Sequence, residues 1–194
     1  MFNWFSFLTY AFTTAFTPGP NNIMSMTNAG RRGFRGAMPF NFGILAGFTI
    51  VMFLCTVFCS ALSAWVPRIK MPMLAAGAVY MLYLAWETFR GSGDLGGHAA
   101  KDGFFTALTL QFINPKIYIY CIMSMEAYIL PFYQGQPGAL IFFALLLSAI
   151  GFAATLAWTA FGSAFRRLFE HHAKLVNTVM ALLLVYCAAS LFMS

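Results

Sequence analysis

Charge is scarce in this chain: 8% of its 194 residues are charged and five are acidic, whereas a soluble domain carries roughly a quarter. The polar connections between its apolar stretches are too short to fold as a separate domain. That excludes a soluble catalytic module and argues against an enzyme acting on a large soluble substrate. Histidine is sparse as well. His98, His171 and His172 fall in or beside predicted loops and read as solvated residues, because a metal site needs ligands converging from fixed positions. The four cysteines, Cys55, Cys59, Cys121 and Cys187, all lie within apolar runs, show no metal-motif spacing with histidine, and read as small apolar fillers. Cys55 and Cys59 stand one helical turn apart and share a face, which leaves a redox relay as the competing reading. No metal and no cofactor is expected. Nor is a cleavable signal peptide, since no basic residue precedes the first apolar run and no small-residue cleavage site ends it.

Apolar residues make up 61% of the chain and aromatic residues 18%. The apolar runs are long and nearly free of charge, and a bilayer core takes about 20 such residues per helix. That ruler predicts an all-α integral membrane protein, a single transmembrane domain over 1–194, with six spans near residues 3–29, 37–64, 71–90, 103–130, 138–163 and 174–193. The net charge of +6 reflects orientation rather than nucleic-acid binding. Arg31, Arg32 and Arg35, then Arg90 and Lys101, then Arg166, Arg167 and Lys174 lie in the loops joining spans one to two, three to four and five to six. The opposite side carries only Arg68 and Lys70. By the positive-inside rule the first three loops face the cytoplasm, so both termini lie outside. Trp4, Trp65, Tyr83, Trp86 and Tyr133 fall near span ends, as interfacial aromatic belts do.

Two of the six runs contain sequence that no regular helix tolerates. Thr17-Pro18-Gly19-Pro20-Asn21-Asn22 interrupts the first and Asn114-Pro115-Lys116 the fourth, and Pro18 and Pro115 are 97 residues apart in a chain of 194. Three spans per half is an odd number, so the second half enters the membrane in the opposite direction to the first. An inverted 3+3 repeat is predicted, with halves over about 1–92 and 98–194 and a hinge loop over 91–102. Phe7 matches Phe104 and Thr9 matches Thr106 at the same offset, Thr14 faces Gln111, and the span boundaries repeat at about that offset. The glycine-rich stretch from Gly91 to Gly97 reads as flexible linker. Gly43 and Gly47, four apart in the second span, allow close approach of another helix, either within the chain or in a homo-oligomer.

Unwound backbone at membrane depth is tolerated only where it lines a cavity, so the paired breaks mark the predicted substrate site. Pro18 and Pro20 remove donors and clash with the preceding turn, so the helix opens around Gly19. Asn21 or Asn22 is expected to cap the half-helix that follows, whose N-terminus carries partial positive charge and suits a carboxylate such as an amino acid offers. Lys116 adds a full charge about a dozen residues into a span, where a lone ammonium is expensive unless it meets a partner or water. It pairs with a substrate carboxylate or with protein, or snorkels to the interface. Gln111 and Asn114 supply donors beside it, and Asn41 in the second span is a candidate for the same cavity. The candidate substrate-binding residues are therefore Pro18, Gly19, Pro20, Asn21, Asn22, Asn41, Gln111, Asn114, Pro115 and Lys116. Glu126, ten residues beyond Lys116, is a proton-coupling candidate if it lies deep and an interfacial residue if it does not. Glu87 and Arg90, three apart, read as a surface pair.

With Pro18-Gly19-Pro20-Asn21 in the first span, Gly30-Arg31-Arg32-Gly33 after it and Asn114-Pro115-Lys116 in the fourth, the chain resembles the lysine exporter (LysE/RhtB) family of bacterial amino-acid efflux proteins over its whole length. Asn21-Asn22, Phe34-Arg35-Gly36 and Leu182-Leu183-Leu184-Val185-Tyr186-Cys187-Ala188 look closest to the branch that exports cysteine and O-acetylserine. The resemblance implies a six-span carrier of the bacterial inner membrane that expels a small neutral amino acid using the proton gradient, with Pro18, Gly19, Pro20, Asn21, Asn114, Pro115 and Lys116 as motif residues. The family's second span often holds an acid, and none stands between Ala37 and Ala64. A cationic substrate such as lysine is disfavoured accordingly, because a buried countercharge is hard to find. The alternatives are export of threonine, homoserine or leucine; a membrane thiol–disulfide electron conduit, which needs reactive cysteines at the breaks; and a passive channel or metal-ion exporter, which needs oxygen or sulfur ligands in number.

Overall fold

The computed structural model describes residues 2–58, 103–165 and 172–190, and within the third apolar run the positions 72, 75, 78, 79, 81–83, 85, 86 and 88–90. The predicted hinge 91–102 lies outside these, as do Cys59, Trp65, Arg68, Lys70, Glu87, Arg166, Arg167 and His171. The described elements are all helical: α1 (Trp4–Phe16), α2 (Pro20–Val57), α3 (Phe104–Ile113), α4 (Pro115–Ser124), a π-helical turn (Met125–Ile129), α5 (Leu130–Tyr133), α6 (Pro137–Ala164) and α7 (Ala173–Ser190). The described part of the third run is helical too.

Local chemistry sets the boundaries. Asn3 caps α1 by accepting from the Ser6 N–H at 3.1 Å. Pro20, Pro115 and Pro137 each open a helix, at the one position where a missing N–H leaves no bond unmade. The π turn precedes Pro131, whose ring would press on the carbonyl four residues back. The Leu130 N–H reaches Met125, five back, so the widened turn makes room for the ring.

α6 lies over the predicted fifth run and α7 over the described part of the sixth, and helix is interrupted in the first and fourth runs where the prolines stand. The loop expected after the first span is not a loop. α2 runs helically through Gly30 and Gly36, and only Gly33, at φ 74° and ψ 172°, departs from helix. That backbone region admits essentially glycine alone, so one residue makes the bend and the three arginines stand on helix around it. The Phe34 N–H donates to Ser163 Oγ at 3.2 Å and ties the bend to α6.

α2 is the hub, packing along α6 and across α3. The Gly43 and Gly47 pair serves the α3 contact within the chain. A Cβ on Gly43 would run into the Phe104 carbonyl, and one on Gly47 would meet Gln111. Gly162 of α6 similarly sits against the backbone of Met26. The outer surface is apolar, with Phe5 82%, Phe105 78% and Val57 73% exposed, and α2 and α6 are each long and apolar enough to cross a membrane. Trp4 and Tyr133 both pack around Phe143, with ring centroids 5.5 and 5.2 Å away. The Arg90 guanidinium lies 4.8 Å over the Trp86 ring.

Candidate functional site

The end of α1 is capped from three other places in the fold. A helix C-terminus leaves carbonyl oxygens unpaired, and here side-chain donors take them in turn. Asn22 Nδ2 donates to Ala15 O at 2.8 Å and Thr17 O at 2.9 Å. Trp158 Nε1, from α6, donates to Phe16 O at 3.1 Å. Lys116 Nζ donates to Thr17 O at 2.9 Å, Thr17 Oγ1 at 3.0 Å and Pro18 O at 3.4 Å. A cation thus sits at the negative end of the α1 dipole.

Asn22 therefore caps the end of α1, not the start of α2 as expected. The residue before α2 is Gly19, in extended backbone and with no side-chain cap. Asn21 does not cap α2 either, because its amide has a stronger partner. Asn21 Nδ2 donates to Gln111 Oε1 at 2.7 Å and Gln111 Nε2 donates back to Asn21 Oδ1 at 3.2 Å. Asn114 Nδ2 reaches the same Asn21 oxygen at 3.3 Å. The first-turn N–H groups of α2 keep their partial positive charge without a side chain upon them.

The second break is built more tightly. Asn114 alone separates α3 from α4, and its Oδ1 accepts from the Lys116 N–H at 3.1 Å. The residues that open the two half-helices are Pro20 and Pro115, so Pro20, not Pro18, is the structural counterpart of Pro115. The helix ends at Phe16 and Ile113 are 97 apart, and the openings at Pro20 and Pro115 are closer, because the first break carries Thr17, Pro18 and Gly19 where the second has Asn114 alone.

Between the breaks lies a small cavity, partly open to the outside. Of the predicted residues, Gly19, Pro20, Asn21, Asn22, Asn114 and Lys116 line it. Gln111, fully buried, holds Asn21 from outside the lining, and neither Pro18, which is exposed, nor Pro115, which is buried, lines the cavity. Asn41 does not reach the cavity. Its Nδ2 donates to Thr159 Oγ1 at 2.7 Å, Thr159 donates to the Thr155 carbonyl at 2.7 Å, and Thr155 lines the wall. Glu126 is exposed on the π turn and away from the lining. Cys55, Cys121 and Cys187 are buried and reduced, and none lines the cavity.

Sequence reasoning missed several wall residues: Phe48 of α2, Gly151 and Thr155 of α6, and Tyr120 of α4. Tyr120 is 3% exposed, and its hydroxyl is buried with no hydrogen-bond partner. Its position four residues after Lys116, hence on the same helix face, was the available signal.

Apolar helices, two of them broken and meeting over one cavity, are the features of a membrane transport protein. The match to the family model described as LysE type translocator runs over residues 12–194, and the chain belongs to that family. It is 36% identical over 188 residues, 96% of each chain, to the cysteine/O-acetylserine efflux protein of Escherichia coli K12 and to that of Salmonella typhimurium LT2. It is 37% identical over 184 residues to the protein of the same description from Klebsiella pneumoniae, covering 94% of this chain and 93% of the other. No solved structure matches.

Proposed function

We propose that the protein exports small neutral amino acids, cysteine, O-acetylserine or a close analogue, from the bacterial cytoplasm across the inner membrane, driven by protons moving inward. One observation carries this reading: the first break brings the carbonyl end of α1 and the N-terminus of α2 together with three residues between them, beside a cavity that has no acidic residue among its described lining. An amino-acid zwitterion has matching poles. Its ammonium suits the carbonyls of Thr17 and Pro18, its carboxylate suits the first-turn N–H groups of α2, and a small side chain faces Phe48, Ile117 and Tyr120. A second cation such as that of lysine would find no countercharge there. The names of the relatives support cysteine and O-acetylserine as the first substrates to test.

The repeated helix–break–helix unit supports a six-span inverted 3+3 repeat, and the distribution of Lys and Arg supports both termini outside. Glu126, exposed and away from the cavity, loses support as the proton carrier. Overproduction should speed the loss of cysteine or O-acetylserine from loaded cells, and collapsing the proton gradient should stop it. Unchanged efflux across a panel that includes threonine, homoserine and leucine would reject the export reading.

A further inference from the structure

Lys116 holds the place that a substrate ammonium would take. Its Nζ rests on three neutral acceptors at the end of α1, Thr17 O, Thr17 Oγ1 and Pro18 O. Its stem crosses Gly19 so closely that an added Cβ would lie 3.0 Å from both Cδ and Nζ. A second ammonium on the same carbonyls would stand within a few ångströms of the first, where like charges in a poorly solvated site repel strongly. The two cations therefore exclude one another. Thr14 of α1, Asn21 and Asn22 of α2 and Thr155 of α6 share the cavity wall with Lys116, and the titratable groups around it are the Tyr120 hydroxyl on its own helix and the Cys187 thiol on α7. Among the described residues no carboxylate lines the wall.

Resting on the export reading above, we propose that Lys116 is the coupling residue: its ammonium and the substrate's compete for the Thr17 and Pro18 carbonyls, so proton and amino acid occupy the site in turn. Facing outside without substrate, the Lys116 amine takes a proton and docks on the carbonyls. Facing the cytoplasm, an arriving zwitterion places its ammonium there and its carboxylate on the N–H groups of Asn21 and Asn22. Lys116 then gives its proton to cytoplasmic water and withdraws as a neutral amine, a form lysine adopts readily when desolvated and arginine does not. One proton enters for each zwitterion that leaves, and no intramembrane acid is needed. That agrees with the absence of any acid from 37–64.

The test is binding of reduced L-cysteine to the purified full-length protein between pH 6 and 8. The wild type should bind more tightly as pH rises, by up to about tenfold per unit for one competing proton. Lys116→Gln and Lys116→Met, each checked for a monodisperse, folded protein, should bind without pH dependence and at least as tightly as wild type at pH 6. Lys116→Arg, permanently charged, should bind weakly throughout. A pH slope that persists in Lys116→Gln overturns the proposal. So does binding lost in Lys116→Gln and kept in Lys116→Arg, the pattern of a carboxylate partner. A flat wild-type profile with intact binding overturns the coupling role alone. No wild-type binding of any amino acid at any pH overturns the export reading, and the coupling role with it.

Discussion

Lys116 Nζ donates a 2.9 Å hydrogen bond to the carbonyl oxygen of Thr17, a residue 99 positions earlier in the chain. That bond fastens the second helix break to the first. Beside it, the Asn21 and Gln111 amides exchange two bonds across 90 positions. Between them these contacts close one side of a cavity that neither half of the chain could form alone.

Gln111→Leu should destabilise the protein by about 1–3 kcal/mol, because it leaves the Asn21 Nδ2 donor without its acceptor. Thermal unfolding in detergent reads the loss, and efflux should fall with it. Asn21→Ala should cost a similar amount, and the double variant less than the two together, since both remove the same pair. Strict additivity would mean that the two amides act independently.

Tyr120→Phe removes a buried hydroxyl that has no partner in the fold. Stability should hold or rise, while cysteine binding weakens by up to about tenfold, the worth of one hydrogen bond of about 1.4 kcal/mol. Equal binding by both proteins would take Tyr120 out of the site.

Gly33→Ala should cost about 1–3 kcal/mol because of the backbone region it occupies. Gly43→Ala should cost a similar amount by overpacking against the Phe104 carbonyl. Gly138→Ala is the control: nothing lies within 4 Å of an added Cβ there, so the melting temperature should not fall. A drop in the control equal to the other two would assign the losses to something other than these contacts.

Replacing Cys55, Cys59, Cys121 and Cys187 together by alanine should leave cysteine efflux running, because the described cysteines are packed away from the cavity. Loss of efflux in a variant that still folds would bring back the electron-conduit reading.

The sequence by itself determined the membrane character and the position of both breaks. Low charge, long apolar runs and proline each act through local physics: a bilayer rejects charge, and a proline cannot donate within a helix whatever surrounds it. It also marked Lys116, since an ammonium so deep in an apolar run must find a partner. Tertiary structure decided what the polar side chains do, because hydrogen bonds form with whatever donor or acceptor the packing brings close. Asn22 thus turned back to cap α1, Asn21 joined Gln111, and Asn41 joined Thr159. The bend at Gly33 stands where a loop was expected, since nothing in a run of arginines and glycines says which residue takes a positive φ. The same physics places Tyr120, Phe48 and Thr155 on one wall. They come from three helices, and the rotation of each is set by close contacts such as Gly43 on Phe104 and Gly162 on Met26, which exist only after the helices have met.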